Sequence, residues 1–266
     1  MWGIVPAAGR GTRIQPLAFS KELLPVGSRS LDHMRRPSAV AEYLIERFVQ
    51  AGADKICFVI GPGKSDILEY FGGTFDSADL FYAVQPEAVG LCDAIFRAAP
   101  LIGNDGCVAV GLPDTIWFPK NALDALPDDR LSFLLFPVDQ PELFDAVALD
   151  AEGQVLEIRV KQPNPGTRWI WGAFKMPVGV FHELHHLWIA RERCDEFIGT
   201  LINAWLGRGG CAQGIKAGET YIDVGTLGGY HTAMEVLLHR DAAAELQAGL
   251  AAPPPEIFPA PSEISR

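Results

Sequence analysis

Short apolar runs alternate with segments of helical apolar spacing through the first half of the chain. The apolar runs predict buried strands, and the segments between them predict helices. This alternation predicts a mostly parallel sheet covered by helices, which is an α/β fold. The predicted strands are 3–6, 55–60, 80–84, 107–111 and 132–138. The predicted helices are one that follows Pro37-Ser38 and runs through about Ala51, and two more at 64–71 and 91–99.

The pattern changes after residue 140. A polar turn at 150–153 separates two apolar runs and predicts a β-hairpin of residues 146–149 and 155–160. Further strands are predicted at 169–175 and 221–224, and helices at 180–190, 195–206 and 229–248. The last stretch is rich in Pro and predicts a loosely ordered arm. We therefore expect one domain over residues 1–248 and a tail over 249–266.

The composition is typical of a folded protein, with 48% hydrophobic residues among 266. A net charge of −11 argues against a duplex-DNA binder but allows a small phosphorylated ligand held by local basic groups. Five scattered Cys without CxxC spacing argue against a disulfide scaffold or a four-Cys zinc site. Neither a signal-peptide pattern nor a long apolar span is present, so a cytoplasmic location is expected.

A Gly-rich loop follows the first predicted strand, where ligands usually bind in parallel sheets. Small loop residues allow backbone N–H groups to approach a polyphosphate, and Arg13 and Lys21 follow within reach. A tight turn with solvent-facing basic residues is the alternative. The GxGxxG and P-loop patterns both fail, because Ile14 and Phe58 occupy required Gly positions. The candidate phosphate-binding residues are Ala7, Ala8, Gly9, Gly11 and Thr12.

Residues 7–26, AAGRGTRIQPLAFSKELLPV, resemble the signature of the sugar-1-phosphate nucleotidylyltransferases, roughly GxGTRxxPxTxxxPKxLLPV, with Ser20 in place of Pro. Later segments follow in the family's order: QPEAVGLCDA at 85–94, Pro113-Asp114, VKQP at 160–163 and IDVGT at 222–226. The resemblance covers residues 2–235 and implies a Rossmann-like nucleotidyltransferase fold.

The resemblance implies Mg²⁺-dependent transfer of a nucleotidyl group from UTP or dTTP to a sugar 1-phosphate, with release of pyrophosphate. Arg13 and Lys21 would hold the β- and γ-phosphates, and Lys161 the sugar phosphate. The metal ligands would be Asp114 and Asp223, and the pyrimidine contacts Gln85 and Gly90. Analogy with the family also suggests a homo-oligomer, while the negative charge and the lack of a long apolar run predict neither nucleic acid nor membrane as a partner.

Each of these residues also has an ordinary structural interpretation. Asp114 could cap a helix beginning near Thr115, and Asp223 could be a turn residue before Gly225. Lys161 could be a solvated hairpin end, Gln85 could end a strand, and Lys21 could lie on the surface.

The sugar side departs from the family's pattern at three places. Val160 stands where Glu usually precedes Lys161, Asp145 replaces a Gly of the hairpin, and 171–173 read Trp-Gly-Ala instead of a turn like Asn-Ala-Gly. Either the sugar is unusual, or the acceptor is bound differently, or the second half-reaction is lost. Trp169 and Trp171 could line a deoxy sugar or belong to the core, and the core is favoured.

The sequence also allows three other functions. His182 and His186 fit the HExxH pattern of zinc proteases, although an amphipathic helix with its His on the wet face is favoured. A non-catalytic nucleotide-binding regulatory protein on the same fold would explain the altered sugar motifs. A nucleotidylyltransferase for a non-sugar phosphate is the third alternative.

Overall fold

The computed structural model describes residues 1–31 and 34–251, with side chains described at 1–29 and 34–240. The predicted tail, 249–266, lies outside the described residues from position 252, so its boundary stays a prediction.

The strands are β1 (Trp2–Pro6), β2 (Pro25–Leu31), β3 (Met34–Ala39), β4 (Lys55–Ile60), β5 (Thr74–Phe75), β6 (Ala78–Val84), β7 (Cys107–Gly111), β8 (Thr115–Phe118), β9 (Leu131–Pro137), β10 (Asp145–Leu149), β11 (Val155–Val160), β12 (Trp169–Pro177), β13 (Ala212–Ile215) and β14 (Thr220–Asp223). The helices are α1 (Val40–Gln50), α2 (Ser65–Phe71), α3 (Leu91–Phe96), α4 (Val178–Ala190), α5 (Ile198–Leu206) and α6 (Leu227–Ala251).

Four parallel strands form the middle of the main sheet, in the order β7-β1-β4-β6. Neighbouring residues such as Ile4 and Val5 point to opposite faces and are both fully buried, because helices cover the sheet on each side. Helices α1 and α2 pack on one face, and α3, α4 and α5 pack on the other. The prediction of a mostly parallel central sheet flanked by helices is confirmed.

An antiparallel strand separates β9 from this parallel centre. Strand β12 pairs with β7 on one edge and β9 on the other, so β9 does not continue the parallel series. The hairpin β10–β11 is found where it is predicted, and it joins β12 through the pair Ala146 and Ile170. It therefore forms one wall of a cleft beside the carboxyl end of β1.

A separate two-stranded sheet determines where two acidic residues lie. Strands β8 and β14 pair antiparallel, with Asp223 opposite Thr115, and Val224 donates its N–H to the carbonyl of Asp114 at 2.8 Å. Its apolar face packs with Ala233 and Leu237 of α6. Since residue 115 begins a strand, the alternative that Asp114 caps a helix there is wrong.

Five short or polar strands, β2, β3, β5, β8 and β13, are not predicted from the sequence. The exposed hairpin β2–β3 is rich in Ser and Arg and has little apolar alternation, while β8 and β13 have only four residues each. Strands β8 and β13 form by pairing with β14 and β9, which lie far away along the chain, so a local pattern does not reveal them. Strands β2 and β3 pair with each other. No described helix is both long and apolar enough to span a bilayer.

The packing of α1 on β1 predicts different effects for two Gly→Ala substitutions. A Cβ on Gly3 would lie 2.5 Å from Cδ2 of the buried Phe48 ring, whereas nothing lies within 4 Å of a Cβ on Gly179 in α4. We expect Gly3→Ala to lower the free energy of unfolding by about 1–3 kcal/mol through overpacking. Gly179→Ala should raise it by up to about 1 kcal/mol. Urea unfolding measures both, and equal effects would contradict this packing.

Candidate active site

Lys64 holds the Gly-rich loop after β1 in place through its backbone. The Lys64 ammonium donates to the carbonyl of Ala7 at 2.6 Å and to both carboxylate oxygens of Glu22 at 2.8 Å. Glu22 is fully buried, and the N–H of Ala7 donates to the carbonyl of Val59 at 2.8 Å. Ala7 therefore forms the floor of the loop. This contact is not predicted from the sequence. Lys64 belongs to the segment that resembles a P-loop, but no local pattern links it to Glu22.

Ser20 is the residue at which the loop motif departs from the expected Pro. Its N–H donates to Asp66 Oδ2 at 2.6 Å and its hydroxyl donates to Asp66 Oδ1 at 2.7 Å. A Pro could make neither bond, because it lacks both the N–H and the hydroxyl. The departure thus gives this segment a second tie to α2, immediately before Lys21.

Two ion pairs form beside the loop. Lys21 Nζ lies 2.5 Å from Asp114 Oδ2, and Arg13 Nη1 lies 2.7 Å from Asp223 Oδ2. Burial alone would raise the pKa of Asp114, but the Lys21 ammonium holds it below its usual value. Burial would likewise lower the pKa of Lys21, but Asp114 and Glu22 raise it. Both partners of the buried pair are therefore charged at neutral pH.

Two glycines bring these charges together. A Cβ on Gly225 would lie 2.6 Å from Asp114 Oδ2 and 2.9 Å from Asp223 Oδ1, so only Gly allows both carboxylates to converge there. Gly225 also donates its N–H to Asp223 Oδ1 at 2.9 Å, so Asp223 is a turn residue as well as a member of the cluster. Gly11 has a φ of +64° and lies directly against the Lys21 stem. Gly9 and Thr12 are exposed on the same loop.

The converging carboxylates have the chemistry of a Mg²⁺ site that is completed by its substrate. Mg²⁺ typically takes one or two carboxylates together with phosphate oxygens and waters. Asp114 and Asp223 supply two carboxylates, and Arg13 and Lys21 lie beside them as cations for phosphate. Among the described residues there is no group of three or more His, Cys, Asp or Glu able to hold a metal by itself. The donor set therefore fits Mg²⁺ bound with a polyphosphate.

One cavity, of about 500 Å³, opens beside the loop and is lined by Gln85, Gly90 and Glu196. Gln85 is buried and donates from Nε2 to the carbonyl of Gly90 at 3.0 Å and to Asp93 at 2.9 Å. Its Nε2 protons are thus both used within the protein, which leaves Oε1 as an acceptor. Gly90 has a φ of +124° and packs on the backbone of Glu196, a cavity residue that the sequence analysis missed.

A second cavity, of about 960 Å³, contains the two ion pairs and extends to the hairpin β10–β11. Lys161 lies at the end of β11, exposed, with its ammonium 4.7 Å from the ring centre of Phe197. Trp171 is only 6% exposed, so the core interpretation holds for it, yet it also lines this cavity. The two cavities share the loop residues Pro6 and Gly9, and together they form a continuous candidate site around the loop.

The HExxH pattern does not form a metal centre in the described part of the chain. His182 lies near the carbonyl of Gly103, with 2.8 Å between Nε2 and the oxygen. The favoured interpretation, an amphipathic helix, is confirmed. The buried residues of α4 include Phe181, Leu184, Leu187 and Trp188.

Comparison with known proteins agrees with this arrangement. A family model described as Nucleotidyl transferase matches residues 2–240. A glucose-1-phosphate thymidylyltransferase of Mycolicibacterium smegmatis is 28% identical over 240 residues, covering 85% of this chain and 78% of that protein. The UTP–glucose-1-phosphate uridylyltransferase AglF of Haloferax volcanii is 25% identical over 233 residues, covering 85% of this chain and 91% of that protein.

The fold is also found among solved structures. A Bacillus anthracis protein described as a glucose-1-phosphate thymidylyltransferase, solved with sucrose, superposes with a TM-score of 0.74 at 23% identity. The match covers 89% of this chain and 95% of that one. At this identity the likeness establishes the fold, and the chemistry must be argued from the residues of the site.

The Lys21–Asp114 pair predicts a pH-dependent contribution to stability. The contribution of Asp114, whose pKa is lowered from 3.8, is present above that value and is lost as pH falls through the folded-state pKa. The contribution of Lys21, whose pKa is raised from 10.5, is present below that value and is lost as pH rises through the folded-state pKa. At pH 7 we expect Lys21→Met to lower the free energy of unfolding by about 3 kcal/mol.

Urea unfolding of the wild type and Lys21→Met across the acid range tests this. The difference should shrink below pH 4 as Asp114 becomes protonated in both proteins. Lys55→Met is the matched control, because Lys55 makes a more exposed pair with Asp54 and should cost less than about 1 kcal/mol. A Lys21→Met effect as small as the control's would contradict the prediction.

Proposed function

Because the chain belongs to the nucleotidyl transferase family, we propose that it transfers a nucleotidyl group from UTP or dTTP to a sugar 1-phosphate, with Mg²⁺ and with release of pyrophosphate. The observation that supports this most is the convergence of Asp114 and Asp223, each paired with a cation, under a Gly-rich loop. A site that only bound a nucleotide would not need this full set of charges.

The triphosphate would bind along the loop, with its base in the smaller cavity. Gln85 lines that cavity, and its Oε1 would accept from the N3–H that uracil and thymine both carry, since its Nε2 already donates twice within the protein. The two bases differ by one methyl group, so this contact does not separate UTP from dTTP. A methyl group changes binding in an apolar pocket by only about 1 kcal/mol.

Triphosphate binding would exchange the partners of the ion pairs. Arg13 and Lys21 would leave the carboxylates for the β- and γ-phosphates and stabilise the departing pyrophosphate. Asp114 and Asp223 would hold Mg²⁺, which neutralises phosphate charge and orients the α-phosphate. The freed carboxylates and cations are thus both used by the incoming ligand, and little buried charge is left unpaired.

The acceptor would enter the larger cavity from the hairpin side. Lys161 lies there and would hold the phosphate of the sugar 1-phosphate. That phosphate oxygen attacks the α-phosphorus opposite the departing pyrophosphate, so the protein has to position two polyanions and offset their repulsion. The transfer is direct, and the chain need supply no nucleophile.

The function is tested by pyrophosphate release from purified protein. UTP, dTTP, CTP, ATP and GTP would each be combined with Mg²⁺ and with glucose, galactose, mannose or glucosamine 1-phosphate. Release that needs both a uracil or thymine triphosphate and a sugar phosphate supports the proposal. Binding of UTP or dTTP by calorimetry without release from any combination would favour the regulatory alternative.

The proposed role of Asp114 and Asp223 as Mg²⁺ ligands predicts that neutralising either carboxylate lowers turnover. We expect Asp114→Asn and Asp223→Asn each to lower kcat by about 100-fold or more, since each removes a ligand and a charge from the Mg²⁺ site. Circular dichroism should show that both variants fold. Asp129→Asn removes an exposed carboxylate that lines neither cavity and should keep the wild-type rate. Wild-type turnover in either cavity variant would refute the metal assignment.

A further inference from the structure

Asp145 occupies a position between two strands of the cavity wall. It is the first residue of β10 and pairs directly with Val160 on β11. On its other side, the pairing of Ala146 with Ile170 places Asp145 opposite Trp171 on β12. The carboxylate therefore has an aliphatic neighbour on one side and an indole on the other.

Two polar groups at this position have unused hydrogen-bonding capacity. Asp145 Oδ1 and Trp171 Nε1 are both buried, and neither makes a hydrogen bond within the described structure. The indole nevertheless lies near enough to act on the carboxyl. Burial raises the pKa of Asp145, while the Lys161 ammonium and the Trp171 N–H oppose that rise. Unsatisfied buried polar groups are rare in folded proteins and call for a ligand or another explanation.

The Asp145 residue is only partly buried and lines the larger cavity, so a molecule there can approach its carboxylate. Asp145, Trp171 and Lys161 all line it, as do the apolar rings of Phe144 and Tyr221, which contact each other edge to face at 5.8 Å. The same cavity contains Asp114 and Asp223 at its other end. A molecule with its phosphate on Lys161 would thus place its remaining atoms beside a carboxylate, an indole N–H and two rings.

We propose that Asp145 determines acceptor specificity by accepting a hydrogen bond from a ring hydroxyl of the sugar. This inference rests on the function proposed above. A ring hydroxyl can donate to the Asp145 carboxylate and can still accept a hydrogen bond through its own oxygen. A sugar ring also offers apolar C–H faces to Phe144 and Tyr221 and an oxygen to the Trp171 N–H.

Binding of nucleotide sugars tests the inference without depending on turnover. Calorimetry would give the affinities of UDP, UDP-glucose and UDP-galactose for the wild type, Asp145→Asn and Asp145→Ala. We expect at least one sugar nucleotide to bind the wild type more tightly than UDP does. In Asp145→Ala that advantage should fall roughly 10- to 100-fold, as for a lost bond to a charged group, and in Asp145→Asn by less. UDP affinity should stay within about twofold.

Matched measurements separate the possible failures. Asp139→Asn removes an exposed carboxylate from the segment just before the hairpin, outside this cavity, and should keep the wild-type advantage. An unchanged advantage in both Asp145 variants, or no advantage in the wild type, would overturn the specificity role. Failure of the wild type to bind UDP and dTDP at all would instead refute the proposed function. Unchanged UDP affinity shows that a variant is folded.

Discussion

The site depends on opposite charges held together where little water reaches them. Asp114 is almost fully buried, and an isolated carboxylate there would be strongly unfavourable. Lys21, whose ammonium lies 2.5 Å from Asp114 Oδ2, offsets that cost, and Asp223 is paired at 2.7 Å with the more exposed Arg13. The β8–β14 ladder brings the two acids together, and Gly225 leaves space between them. Removing either the pairing or the space would change the arrangement of the whole cluster.

This pairing indicates how an acidic protein could receive the two polyanions of the proposed reaction. The chain has a net charge of −11, so long-range attraction of phosphate by the whole molecule is not available. Recognition must come from a few cations at fixed positions. Lys64, paired with Glu22, fixes the loop at Ala7, while Arg13 and Lys21 are held near the cavity by Asp223 and Asp114, which under the proposed function would exchange them for a metal-bound substrate.

Sequence patterns predict the strongly apolar elements well and the paired polar ones poorly. Strands β4 and β7 are found at the predicted residues, because continuous apolar runs have few alternatives to burial in a sheet. Strand β8 was missed, and its pairing with β14 is what brings Asp114 to Asp223. The loop motif likewise pointed to Lys21 but not to the Lys64–Glu22 anchor, because such contacts are set by topology rather than by local spacing.

The departures from the family's sugar-side motifs are likewise not explained by local sequence. The strand register explains two of them together. Val160 stands where the family's motif has Glu, so an expected carboxylate is absent there. Asp145 stands where the motif has Gly, so a carboxylate is present where none is expected. The register makes these two residues direct partners across the β10–β11 ladder. Directly paired side chains share one face of a sheet and lie close together. The cross-strand pair therefore retains one acidic group, moved to the opposite strand, so the two departures together amount to one rearranged wall of the larger cavity.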